Sequence, residues 1–183
     1  ASDPAAFPTR SGGTGWMAGP YVTARLSDNL YLDFMAAGGR AENRVSPLGT
    51  YEDLYGSTRF LASATLQGEW SHGAWTFTPA ASLSWFSETS DAYTDSLGVA
   101  IPAATVEQGQ FAAGPGVRHS QDLGSGITLS TSARLEAVAG YRNSLLTPGR
   151  SDVHGRIAGG LDFGFEGGAA LGFSLSHDGL FGA

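Results

Sequence analysis

The sequence predicts an all-β fold, an antiparallel up-and-down transmembrane β-barrel built as a meander. Three observations lead there. Apolar and small residues recur at every second position over runs of about a dozen residues, longer than the five or six of a usual globular strand. The links between runs alternate short and long. The face opposite the apolar one carries hydroxyls, amides and isolated charges, sparser than the roughly one-quarter to one-third charge of a soluble surface.

The runs justify this in order. In "GWMAGPYVTARL", residues 15–26, Trp16, Ala18, Pro20, Val22, Ala24 and Leu26 share one parity against Tyr21, Thr23 and Arg25. After Ser27, Asp28 and Asn29, the second run sets Leu30, Leu32, Phe34 and Ala36 against Tyr31, Asp33 and Met35. The third and fourth form the clearest hairpin, "RFLASATLQGEWSHGAWTFTPAASLSWF". Phe60, Ala62, Ala64, Leu66, Gly68 and Trp70 face one way, as do Trp75, Phe77, Pro79, Ala81, Leu83 and Trp85 across the turn Ser71 to Ala74. Successive strand side chains point to opposite faces, so this is strand periodicity and not helical. The fifth run pairs Phe111, Ala113, Pro115 and Val117 against Gln110, Gly116 and Arg118, with a Gly and Pro content that suits an edge or a bulge. The sixth sets Ile127, Leu129, Ala133, Leu135, Ala137 and Tyr141 against Thr128, Ser130, Ser132, Arg134 and Glu136. The seventh places Val153, Ile157, Leu161, Phe163 and Phe165 opposite His154, Arg156, Asp162 and Glu166, and the eighth Leu171, Phe173 and Leu175 opposite Ser174, Ser176 and Asp178. At roughly 3.3 Å per residue a dozen residues reach about 40 Å, enough to cross a bilayer at a tilt of about 45°. The long links are expected near residues 41–58, 87–105 and 142–152; they hold Glu42, Glu52, Asp53, Glu88, Asp91, Asp95 and Asp152 and are assigned to the cell exterior.

Composition narrows the function classes. The 183 residues carry a net charge of −7, and all ten basic residues are Arg, which argues against nucleic acid as a partner. There is no Cys, so disulfides, zinc-thiolate sites and cysteine nucleophiles are excluded together. No apolar run of 18 residues exists to make a transmembrane helix, while a barrel leaves no such mark. The four His lack metal-ligand spacing, no GxSxG elbow occurs, and "GPG" at 114–116 is too short for a phosphate loop. Neither a cofactor nor a metal is expected, and no enzyme activity. Asp152 beside His154 is the one pair of the kind that outer-membrane proteases place on their rims.

With lipid on the apolar side, the lumen is expected to be lined by Arg25, Asp33, Glu69, Arg118, Arg134, Glu136, Arg156, Asp162 and Glu166. Charges of both signs can pair across such a wall or brace it. Trp16, Trp70, Trp75 and Trp85, near strand ends, read as membrane-interface aromatics.

The long stretches "GWMAGPYVTARLSDNLYLDFMAAGGRAENRVSPLGTY", "FLASATLQGEWSHGAWTFTPAASLSWFSE", "YTDSLGVAIPAATVEQGQFAAGPGV" and "GGAALGFSLSHDGL" resemble, in order, the C-terminal translocator β-barrel of bacterial autotransporters, the type V secretion pathway. The resemblance spans about residues 15–181. It implies a twelve-stranded outer-membrane barrel of which about eight strands are legible here, a covalently linked N-terminal passenger joined through a pore helix, and assembly by the barrel-assembly machinery with periplasmic chaperones in a Gram-negative cell. Residues 1–14 are then an irregular lead-in from an earlier part of the barrel, and 15–183 a partial barrel domain. The family's barrel closes on a final strand ending in an aromatic residue, whereas this sequence ends "GLFGA". Strands before Gly15 and one after Asp178 are therefore expected to lie outside it, leaving unpaired edges. The residues alone leave a second reading open, a stand-alone structural or porin-like barrel of eight strands, and a third, a hydrolase with a rim site.

Overall fold

A computed structural model describes residues 9–47, 49–145 and 148–180. Among these there are fourteen strands and no helix: β1 (Arg10–Ala18), β2 (Tyr21–Ser27), β3 (Leu30–Ser46), β4 (Asp53–Gly68), β5 (Trp70–His72), β6 (Trp75–Phe77), β7 (Ala80–Ser90), β8 (Tyr93–Thr94), β9 (Ala100–Ile101), β10 (Ala104–Gly114), β11 (Gly116–Gly124), β12 (Ile127–Asn143), β13 (Arg150–Phe165) and β14 (Ala170–Leu180). Twelve form one antiparallel sheet, while β8 and β9 pair only with each other.

The count of fourteen exceeds the expected eight for a physical reason. The twelve sheet strands lie along eight lines of chain: β1 runs into β2, β4 into β5, β6 into β7 and β10 into β11, and the other four are unbroken. Pro20, Pro79 and Pro115 sit at three of these four breaks, and the fourth, at Glu69, lies across from the break that holds Pro79. Proline has no N–H to give the ladder, so it interrupts pairing locally. Its carbonyl still accepts: Ala36 N–H donates to Pro20 at 3.2 Å, Gly68 N–H to Pro79 at 2.9 Å and Leu135 N–H to Pro115 at 3.0 Å. Register therefore continues unchanged across each break. At Gly114 the neighbouring strand comes so close that a Cβ would lie 1.9 Å from the Leu135 carbonyl oxygen, which leaves room only for glycine.

The order across the sheet is β1/β2, β3, β4/β5, β6/β7, β10/β11, β12, β13, β14, and the sheet is not closed. Among the described residues β1/β2 and β14 have a neighbour on one side only. Strand β1 begins at Arg10, inside the expected irregular lead-in of residues 1–14, of which 1–8 lie outside the described residues. The long links are shorter than expected: β3 and β4 are joined by residues 47–52, β7 and β10 by 91–103, and β12 and β13 by 144–149. Glu42, Asp53, Glu88 and Asp152 are thus strand residues. The ladder runs past the point where the outward face turns polar. On β3 that face goes from Leu30, Leu32, Phe34 and Ala36 to Arg40, Glu42 and Arg44, so apolar alternation stops while hydrogen bonding continues.

Exposure separates the two faces. Leu83 (54%), Phe111 (47%), Leu135 (49%) and Phe173 (60%) are open on the apolar face. The buried apolar residues among those described are Ala41, Ala112 and Val138, all on the polar face. A soluble barrel buries its apolar side inward; here that side is the uncovered one. The apolar band runs from Leu30 to Gly38 on β3 and from Ile127 to Ala139 on β12. That is about nine to thirteen residues, or about 21 to 30 Å at a tilt of about 45°, the thickness of bilayer hydrocarbon.

Two expectations follow. Leu135→Arg, at the middle of the band, destabilises the folded barrel by about 2–4 kcal/mol in urea titrations from lipid vesicles, whereas Ser132→Arg on the other face costs far less. On the outer face the rings of Trp85 and Tyr141 stack 5.6 Å apart, at the level of Gly109 between them; a Cβ there would lie 2.7 Å from the Trp85 ring. Gly109→Ala displaces that stack and costs about 1–3 kcal/mol in the same titration.

Candidate functional site

The polar face is the candidate site, and its charges are organised. On β12, β13 and β14 they form a ladder that crosses three strands. Arg134 Nη1 is 3.6 Å from Glu136 Oε1, and Arg156 Nη1, from the facing position on β13, is 3.5 Å from Glu136 Oε2. Arg156 Nε donates to Asp178 Oδ1 at 2.6 Å across the next pair. His154 lies between two carboxylates, Nδ1 3.0 Å from Asp152 and Nε2 3.4 Å from Asp178. Strand geometry explains the grouping, because residues directly opposite on neighbouring strands approach within about 5 Å on one face. Glu136 is the most covered member, with a side chain 12% exposed and two guanidinium groups against it.

A second cluster spans β3, β4 and β7. Asn43 Nδ2 donates to Ser57 Oγ at 2.9 Å, Ser57 Oγ donates to Glu88 Oε1 at 2.6 Å, and Arg59 Nε is 3.0 Å from the same oxygen. The last is a charge contact whose N–H is not aimed for a hydrogen bond. At the short-turn end, Asp33 accepts from Thr23 Oγ1 at 2.6 Å and from Tyr21 at 3.1 Å, and Arg25 pairs with Asp28 at 3.0 Å.

The nine residues singled out from the sequence distribute as follows. Arg134, Glu136 and Arg156 are brought together in the ladder. Arg118, Arg134 and Asp162 share a polar hollow of about 450 Å³ with Thr78 and Ser132. Arg25 and Asp33 occupy the same face of the first hairpin without meeting one another in an ion pair. Glu69 sits between β4 and β5 and accepts from Gln67 at 3.3 Å. Glu166 follows the last residue of β13, in the turn, and not within a strand. The sequence places His154 and Asp178 on the polar face without including them in the lumen set, and does not assign Arg59, Glu88 or Asp152 to that face. The signal is present, since Ser82, Ser84, Phe86, Glu88 and Ser90 continue one parity without a gap, although Glu88 and Asp152 fall within the expected links.

Both ring nitrogens of His154 lie near carboxylates, Nδ1 at hydrogen-bond distance from Asp152 and Nε2 3.4 Å from Asp178, so the imidazole sits within the charge ladder. Among the described residues no group of three or more His, Asp or Glu could hold a metal ion. Of the four Trp, all on the outer face, Trp16 lies opposite Arg40, and Trp70 and Trp75 flank the turn at Gly73 and Ala74. Trp75 packs against His119 with ring centroids 4.5 Å apart and planes tilted by 53°, and Trp85 lies toward the long-link end.

An antiparallel meander with a bare apolar face and a charge-laced polar face is what the wall of an outer-membrane β-barrel presents. The family model of the autotransporter beta-domain matches residues 5–176, and the chain belongs to that family. It is an outer-membrane translocator domain of the type V secretion pathway, a family of transport and not of catalysis. A comparison with curated proteins finds no match.

Arg156 touches two carboxylates on two strands, so Arg156→Met loses more stability than Arg25→Met, whose exposed pair contributes about 0–1 kcal/mol. Urea unfolding of the two variants side by side reads the difference.

Proposed function

We propose that this domain exports a covalently linked N-terminal passenger to the cell surface, its polar face forming the wall of the conduit. The observation that carries the reading is the chemistry of that face together with family membership. Several of its charges, Arg134, Glu136, Arg156 and Asp178 among them, are paired laterally within the wall, and between them lie Ser, Thr, Gly and Ala, as at Ser130, Ser132, Ala158, Gly160, Ser174 and Ser176. A polypeptide meeting this surface finds hydroxyls, charges of both signs of which many are already paired, and little apolar area to adhere to. Arg25, Asp33, Glu69, Arg118, Arg134, Glu136, Arg156 and Asp162 line it, with Glu166 at its short-turn rim. Trp16, Trp70, Trp75 and Trp85 anchor the two interfaces of the outer-membrane lipid. The short turns face the periplasm and the long links the exterior. Chaperones and the barrel-assembly machinery deliver a chain whose strand edges need cover until they are paired.

The test is occlusion. With the native gene otherwise intact and an epitope placed upstream of residue 1, Ser132→Trp combined with Gly160→Trp fills the polar hollow. Surface exposure of the epitope to external protease then falls while the amount of heat-modifiable barrel is unchanged. Undiminished exposure with both tryptophans in place would overturn the reading.

A further inference from the structure

Residues 91–103, between β7 and β10, contain a small preformed unit. Strands β8 and β9 are closed by a turn in which the Asp95 carboxylate accepts from Leu97 N–H at 2.9 Å and Val99 N–H at 2.7 Å. The Asp95 N–H donates to the Val99 carbonyl at 2.9 Å, and its own carbonyl accepts from Gly98 at 3.0 Å. The ribbon's shape thus comes from its own bonds.

Its position does not. The ribbon is fastened to the polar face of β4. Ser96 donates twice to one oxygen of Asp53, from its N–H at 2.8 Å and its hydroxyl at 2.6 Å. Tyr93 stacks on Tyr55 with ring centroids 5.2 Å apart and planes 11° from parallel. Asp91 N–H reaches the Gly56 carbonyl at 2.9 Å. Asp53 and Tyr55 share the parity of Ser57 and Arg59, while Leu54 between them points outward and is 66% exposed. Strand β4 here extends beyond β7, whose last residue, Ser90, faces Ser57. The chain leaving β7 therefore bends to the lumen side of that extension.

The contact is covered yet slight. Asp53 is 7% exposed, and a carboxylate so enclosed needs the partners Ser96 gives it. Burial first, then the Asp53 charge, push the Tyr93 phenol above its ordinary value. Leu97 and Val99 at the ribbon's tip stay open, at 66% and 53%, so detaching the ribbon would expose little new apolar surface. An element held by a few polar bonds and one ring stack opens locally without unfolding the sheet.

We propose that the β8–β9 ribbon is a lid over the long-link mouth of the lumen, latched through Asp53–Ser96 and Tyr55–Tyr93 and displaced by a polypeptide in transit. The occupant rests on the export reading; the lid's test does not. The chain has no native Cys, so Asp53→Cys with Ser96→Cys places a reversible lock at the latch in the whole protein. In planar bilayers, oxidation lowers ion conductance several-fold and reduction restores it. Ser96→Ala with Tyr93→Ala, which releases the latch without a crosslink, raises conductance. Equal conductance of the oxidised and reduced forms, with the disulfide verified by mass, overturns the lid. So does failure of the two cysteines to join in a barrel shown to be folded by heat-modifiable migration. Because no passenger enters this measurement, a gated conductance beside failed epitope export keeps the lid and removes its occupant. Intact export with ungated conductance does the reverse.

Discussion

Hydrocarbon offers no partner to a peptide N–H or C=O, so inside the membrane every backbone group must find one in a neighbouring strand. The rest of the structure depends on that constraint. It explains why three prolines can interrupt the strands while the register stays fixed: each proline carbonyl keeps its donor, and only one ladder bond is lost at each site. It also fixes the meaning of the two sheet edges. β1/β2 and β14 each present a row of unpaired groups, and in a bilayer those rows must be joined, to one another or to further strands.

Once the backbone is committed to strands, the side chains are committed to two faces, and the solvent on each face is read from its residues. The outer face needs no charge over the band from Leu30 to Gly38 and regains it at Arg40, where the strand leaves the lipid. The inner face can carry Arg134, Glu136, Arg156 and Asp178 because each is placed against an opposite charge one strand or two residues away. Lateral pairing ties β12, β13 and β14 together on the polar side and leaves each charge of the ladder beside an opposite one.

Face assignment was fully legible in the sequence, since alternation has a period of two and cannot be mistaken over a dozen residues. Every outward residue named in the third and fourth runs, from Phe60 to Trp85, lies on the exposed apolar face. The upper limits of the strands were not legible. Above the lipid both faces meet water, so Glu42 and Glu88 resemble loop residues although they sit in an unbroken ladder. The site was legible only as a polar wall, because pairing depends on which residues face one another. Glu136 opposite Arg156, and Arg156 opposite Asp178, follow from register, which a single sequence does not display. The inward fold of the β8–β9 ribbon was hidden for a similar reason, since its contact with Asp53 joins residues more than forty positions apart.

The size of the inner side chains bears on how wide the conduit must be. A closed barrel of eight strands has an interior just wide enough for its side chains to fill, and fills it with them. From β10 to β14 the inner face sets charged residues such as Arg118, Arg134, Glu136, Arg156 and Asp162 among runs of small ones: Ala112, Gly114 and Gly116, then Ser130 and Ser132, then Ala158, Gly160 and Gly164, then Gly172, Ser174 and Ser176. Such residues cannot pack the centre of a narrow barrel, and a void at the centre of one would forfeit the contacts that stabilise it. They suit a wider, hydrated lumen, whose stability comes from the ladder and from the lipid on the outside. On the proposal that such a lumen is closed when nothing occupies it, the ribbon latched at Asp53 is the described segment that reaches over the polar face at the long-link end.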